Sequence, residues 1–133
     1  MSVTRGADGN WLVEGATASL NPAWQPLTLA SGWAAHASFY TPAVRHNGDG
    51  TASLSGLSQL SGALTAGATV ATLPAGTWPA RQVRVAVQVA AGYFGVLTIL
   101  TTGEIQLSDF NPAPPSTGNK WTEFDAVGSY RLV

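Results

Sequence analysis

Cysteine is absent from this sequence of 133 residues, so disulfides, thiolate metal ligands and cysteine nucleophiles are all excluded. Charge is scarce. Asp, Glu, Lys and Arg together make up 10%, against roughly 25% in an average soluble domain. The six cations are scattered and the net charge is −1, which excludes the clustered basic surface that nucleic acid requires. No apolar run approaches the roughly 18 residues of a membrane-spanning helix, so no membrane insertion is expected. The opening residues, Met1-Ser2-Val3-Thr4-Arg5-Gly6, lack the apolar stretch of a secretory signal. Two settings fit these absences: the cytoplasm, or a larger particle whose subunit contacts cover surface that would otherwise carry charge.

The sequence is rich in apolar residues and in turn formers. Hydrophobic residues make up 45%, with 15 Gly and 8 Pro. The periodicity is that of strands. From Gln82 to Val89 the valines at 83, 85, 87 and 89 share one face, while Gln82, Arg84 and Gln88 share the other. Tyr93 to Thr101 is apolar on both faces and reads as a central strand, joined to the first by a hairpin through Ala90-Ala91-Gly92. Weaker patterns predict strands over Trp24–Leu29, Ala37–Tyr40, Ala43–His46, Thr51–Leu57, Ala68–Leu73, Glu104–Leu107, Lys120–Phe124 and Tyr130–Val133. Turns are expected at Asn47-Gly48-Asp49-Gly50, at Leu73-Pro74-Ala75-Gly76 and at Thr102-Gly103. Asn111 to Asn119 carries three prolines, which give no ladder donor, and reads as a long loop. No segment shows a helical stripe with caps. The fold class expected is all-β, an antiparallel β-sandwich or barrel. Residues 1–21 read as an N-terminal arm, with an extra edge strand as the alternative, and 22–133 as the domain proper. Trp11, Leu12 and Val13 are the arm's apolar anchor candidates.

Few residues invite catalysis. His36 and His46 lie ten residues apart with no third ligand at a recognisable spacing, so turn-flanking imidazoles are expected rather than a metal site. Glu123 and Asp125, at i and i+2, would share a face on a strand about 7 Å apart at Cα. Such a pair cleaves sugars when burial holds one carboxyl protonated. No Gly-x-Ser-x-Gly elbow and no phosphate-cradling glycine loop is present. The tryptophans say more. Trp78, between Gly76-Thr77 and Pro79, is expected in an exposed loop, whereas Trp24, Trp33 and Trp121 adjoin strands and are expected in the core or at a subunit interface.

Several short patterns occur in a recognisable order. Trp24-Gln25-Pro26-Leu27-Thr28-Leu29 is followed by Gly32-Trp33, then by Tyr40-Thr41-Pro42-Ala43-Val44-Arg45 and the turn Gly48-Asp49-Gly50. Thr51-Ala52-Ser53-Leu54-Ser55-Gly56, Leu73-Pro74-Ala75-Gly76-Thr77-Trp78-Pro79, Gly103-Glu104-Ile105 and Trp121-Thr122 complete the series. From about Trp24 to Val133 this order resembles the head domains of bacteriophage tail-fibre and receptor-binding proteins. Two positions depart from the family pattern: Thr77-Trp78 replaces an aromatic-Arg pair before the proline, and Thr102 replaces an Asp before Gly103.

The resemblance implies a homotrimeric, jelly-roll-like β-sandwich head in the virion. It implies no enzymatic activity and no cofactor. The implied partners are further copies of the chain, other virion proteins held through the N-terminal arm, and a host surface polysaccharide. On that reading Trp78 is the candidate stacking platform for sugar, with Asn47, Asp49, Arg81 and Asn111 as hydrogen-bonding candidates chosen by turn position and chemistry. The alternative is a capsid decoration or tail-assembly subunit with no receptor role. A small carbohydrate-active enzyme would require Glu123 or Asp125.

Overall fold

The computed structural model describes residues 23–133, together with the backbone of residues 3–5 and 11–13. Among the described residues, fourteen strands, all in antiparallel pairs, and one short 3-10 turn make up the regular structure. β1 (Val3–Arg5) and β2 (Trp11–Val13) pair, among the described residues, only with each other, Arg5 opposite Trp11 and Val3 opposite Val13. Trp11, Leu12 and Val13 thus form a strand outside the other sheets. The expected boundary at residues 21 and 22 lies outside the described residues.

The remaining strands form three sheets. β10 (Val83–Ala90), β11 (Tyr93–Ile99), β12 (Glu104–Asn111), β9 (Thr69–Thr72) and β4 (Thr28–Leu29) lie in that order in the first. β14 (Ser129–Arg131), β7 (Thr51–Ser55), β6 (Ala43–His46) and β3 (Gln25–Pro26) form the second. β13 (Asn119–Glu123), β8 (Leu57–Ser61) and β5 (Trp33–Ala35) form the third. One apolar cluster serves the first two: Val44, Ala52 and Leu54 join Val87, Val89, Leu97, Ile99, Ile105 and Leu107, and Phe124 and Tyr130 are buried in the same cluster. Each buried Leu, Ile or Val in such a cluster contributes about 1.5–3 kcal/mol. The architecture is all-β and sandwich-like.

The alternation over 82–89 has its expected consequence. Val87 and Val89 are buried in β10 while Arg84 and Ala86 are exposed. β11 is an interior strand flanked by β10 and β12, and the hairpin turns at Ala91-Gly92. β12 runs four residues beyond the expected Leu107, because a bulge at Asp109, whose φ is 53°, lets the ladder resume at Asn111 opposite Phe94. The loop that follows is correspondingly shorter. Lys120, buried and the only lysine, holds it by donating to the carbonyls of Thr117 at 2.7 Å and Gly118 at 3.2 Å.

Three expectations are corrected. Ala37–Tyr40 is a turn, closed by the Phe39 N–H donating to the His36 carbonyl, with the Ser38 N–H donating to His36 Nδ1. Trp24–Leu29 divides at buried Leu27, whose N–H donates to the Pro42 carbonyl. The chain there leaves the second sheet as β3 and enters the first as β4. Thr51–Leu57 also divides, at Gly56, into β7 and β8 in different sheets. Gly56 has φ +107°, and a Cβ there would meet the Pro42 nitrogen and the Tyr40 carbonyl oxygen at 2.6 Å. Only glycine permits that crossing of chains.

These divisions share a result. β3, β4 and β5 each form one edge of a different sheet, so residues 25–35 border all three in succession.

Candidate functional site

The outward face of the second sheet follows from alternation. Ala52 and Leu54 of β7 turn inward, which leaves Thr51, Ser53 and Ser55 facing out. Register then sets their neighbours. Pro26, Ala43 and Ser55 form one row; Arg45, Ser53 and Ser129 form the next; Thr51 lies opposite Arg131. Hydroxyls and one amide knit this face together. Asn47 Nδ2 donates to Thr51 Oγ1 at 3.0 Å and to Ser53 Oγ at 2.8 Å, and Ser53 Oγ lies 3.0 Å from Ser129 Oγ.

At the β3 edge this face meets a groove of about 660 Å³, lined by Trp24, Pro26, Tyr40, Thr41, Ala43 and Ser55. Trp24 is 43% exposed and Tyr40 78% exposed. The Arg45 guanidinium lies over the Trp24 ring, 4.8 Å from its centre. That cation–π contact fixes one face of the indole and leaves a charged group at the groove's margin. Phe39, 51% exposed, continues the aromatic surface beyond Tyr40 and meets His36 edge-on at 5.0 Å. The groove's wall rests on Gly56. Its N–H donates to Asp125 Oδ1 at 2.9 Å, its carbonyl accepts from the Asp125 N–H, and the Tyr40 carbonyl accepts from Leu57.

The candidates chosen from sequence occupy separate elements. Asn47 and Asp49 share the β6–β7 turn. Asp49 Oδ1 accepts from the Thr51 hydroxyl at 2.6 Å and the Thr51 N–H at 3.1 Å, which holds its carboxyl below the usual range. Asn47 contributes to the hydroxyl network and accepts from Arg45 Nε at 3.4 Å. Trp78 is 43% exposed, as expected for a loop, but its indole N–H already donates to the Leu73 carbonyl at 2.9 Å and its ring covers Gly103. Arg81 is exposed and borders β14. Asn111 ends β12 in the first sheet, opposite the exposed Phe94. Of these five, Asn47 and Asp49 alone stand on the outward face of the second sheet.

Trp24, Tyr40, Arg45 and Arg131 were missed as site residues. Trp24 had a signal: it stands before a Gln-Pro pair, which forms an exposed edge strand rather than a core one. Tyr40 was hidden by the expectation of a strand over 37–40. The carboxylate pair does not take a strand geometry, because β13 ends at Glu123 and Asp125 lies in the 3-10 turn, bonded to Gly56. Each histidine shapes its own turn, His46 Nδ1 accepting from the Gly48 N–H at 3.0 Å just as His36 accepts from Ser38.

No family model matches this chain. No curated protein and no solved structure matches it either.

Proposed function

We propose that this chain is a non-enzymatic virion structural protein, the head of a bacteriophage tail fibre or spike, and that it binds a host cell-surface saccharide. The observation that carries the reading is the exposed groove of Trp24, Pro26 and Tyr40 beside a hydroxyl-rich sheet face. Aromatic rings stack on the apolar faces of sugars, and flanking Ser, Thr and Asn side chains supply donors and acceptors for their hydroxyls. Large aromatics left in water cost solvation unless a ligand or neighbour covers them, which gives the exposure a purpose. The low charge and the resemblance of residues 24–133 to phage receptor-binding heads point the same way.

In this reading the sandwich is jelly-roll-like and assembles as a homotrimer, with residues 1–21 attaching the head to other virion proteins. The shared border at residues 25–35 supports assembly, since it presents the free edges of three sheets along one stretch of chain. The same border supports a second reading, a capsid decoration or tail-assembly subunit whose Phe39 and Tyr40 grip a neighbouring protein.

Binding of the purified chain to host cells and to their extracted wall glycan separates the two. Saturable binding that Trp24→Ala and Tyr40→Ala abolish supports the receptor reading. Absence of binding to either, with incorporation into particles retained, leaves the structural reading in its place.

A further inference from the structure

A second groove, of about 510 Å³, opens between the segment before β10 and strand β14. Arg81, Gln82, Ser129 and Arg131 line it together with Tyr130 and Val133. No acidic side chain is among its lining residues. The placement of charge around it is informative. Of the cations with described side chains, Arg84 is paired with Asp109 at 2.6 Å and Lys120 is buried against loop carbonyls. The other three, Arg45, Arg81 and Arg131, all border the second sheet, and the described residues hold no ion pair for them. Asp49 is the acidic side chain at the end of that face, and its Oδ1 is already taken by Thr51.

The two grooves lie at opposite edges of the same four strands. Three inter-strand spacings separate β3 from β14, about 14 Å. Between them runs the outward row of Arg45, Ser53 and Ser129. A ligand seated on Trp24 and extended along that row reaches Ser129, which lines the second groove together with Arg81 and Arg131.

We propose that the groove of Arg81 and Arg131 binds an anionic group, and that the saccharide this protein takes is therefore acidic, carrying a carboxylate or a phosphate. The inference rests on the saccharide reading for its ligand class, while the anion site stands on its own geometry. Guanidinium groups match the paired oxygens of both anions and form charge-assisted hydrogen bonds with them. Gln82 and Ser129 offer neutral donors beside them.

The test follows backbone amide resonances of the intact chain during titration with inorganic phosphate, D-glucuronate and D-glucose. Either anion is expected to shift Gln82, Ser129 and Arg131 saturably in the millimolar range, with glucose leaving them in place. The anion that saturates at lower concentration identifies the source as phosphate or uronate. Arg81→Gln and Arg131→Gln, both exposed sites, should each weaken binding about tenfold. Absence of a saturable shift with both anions overturns the proposal, as does equal binding by the double variant or an equal response to glucose. Failure of the two readings is distinguishable. Host-cell binding lost in Trp24→Ala without any anion response leaves the saccharide reading standing alone, and an anion response without cell binding leaves the anion site standing alone.

Discussion

Tyr130 on β14 donates its phenolic hydroxyl to the Thr77 carbonyl at 2.6 Å, across 53 residues of sequence. The bond joins the second sheet to the turn that carries Trp78. Thr77 itself is buried, and its own hydroxyl donates to the Pro74 carbonyl at 2.7 Å. The 73–79 turn is therefore held both by the Tyr130 bond at Thr77 and by the packing of Trp78 over Gly103.

Tyr130→Phe keeps the ring and removes the donor from the Thr77 carbonyl. A loss of about 1–3 kcal/mol in unfolding free energy is expected, read from the urea midpoint at unchanged slope. The pH dependence has a definite sign. Burial pushes the Tyr130 hydroxyl up from about 10 to about 12, against a smaller lowering effect of the Thr77 side chain. The unfolded chain then loses this proton before the folded chain does. Stability from this group is complete below pH 10 and falls as pH rises from 10 to 12. Tyr130→Phe should remove that part of the alkaline slope, and an unchanged slope would contradict the assignment.

Gly56 and Gly103 are the two positions where backbone freedom supports the surface. At Gly103, φ is +88° and an added Cβ would overlap the Trp78 indole. Gly103→Ala is expected to cost about 1–3 kcal/mol and to expose the indole, seen as a red shift in tryptophan emission. At Gly56 the collision is with Tyr40 and Pro42 backbone, which cannot rotate away. Gly56→Ala should be at least as costly and should also disturb the aromatic groove, because that crossing sets the position of Tyr40. Thermal unfolding of both variants beside Gly62→Ala, which meets no atom within 4 Å, separates collision from φ strain alone.

Ser58 and Thr122 face each other across β8 and β13, are fully buried, and have no hydrogen-bond partner for either hydroxyl among the described residues. A buried hydroxyl without a partner costs free energy that an apolar group of the same shape does not. Ser58→Ala and Thr122→Val are expected to leave stability unchanged or raise it by up to about 1 kcal/mol each. A loss above that size in either variant would show that the hydroxyl is satisfied in solution. These residues also show why β8 escaped the sequence pattern. Leu57-Ser58-Gln59-Leu60-Ser61 does not alternate, and its buried serine reads as a turn residue.

The contrast between legible and hidden elements is physical. β10 and β11 were legible because four valines at period two and a doubly apolar run encode a face-buried strand beside an interior one. β5 was not, since Trp33-Ala34-Ala35 is three residues long and takes its strand form from pairing with β8 alone. The division of Trp24–Leu29 between two sheets was equally hidden, because Leu27 is buried at the crossing just as it would be in a continuous strand. Turn chemistry fared better. Asn47-Gly48-Asp49-Gly50 forms the β6–β7 turn expected of it, with Gly48 and Gly50 at positive φ. The groove itself could not be read from local pattern, since it depends on Trp24 and Tyr40, sixteen residues apart in sequence, lining one cavity.

Trp24 and Trp78 are equally exposed, at 43%, yet they should behave differently on removal. The Trp78 indole N–H is bonded to Leu73 and its ring covers Gly103, so its contacts are internal. Trp78→Ala should lower stability by about 2–4 kcal/mol, somewhat less than truncation of a fully buried aromatic. Trp24 meets Arg45 on one side and open groove on the other. Trp24→Ala should change stability by less than about 1 kcal/mol, because an exposed cation–π contact contributes only about 0.5–1 kcal/mol. Its effect belongs to binding: removal of a stacking platform should weaken glycan affinity at least tenfold, about 1.4 kcal/mol. Unfolding curves and wall-glycan binding measured on both variants decide the matter. If Trp78→Ala abolishes binding while remaining as stable as the parent chain, the platform belongs to the 73–79 turn and the groove beside β3 is not the sugar site.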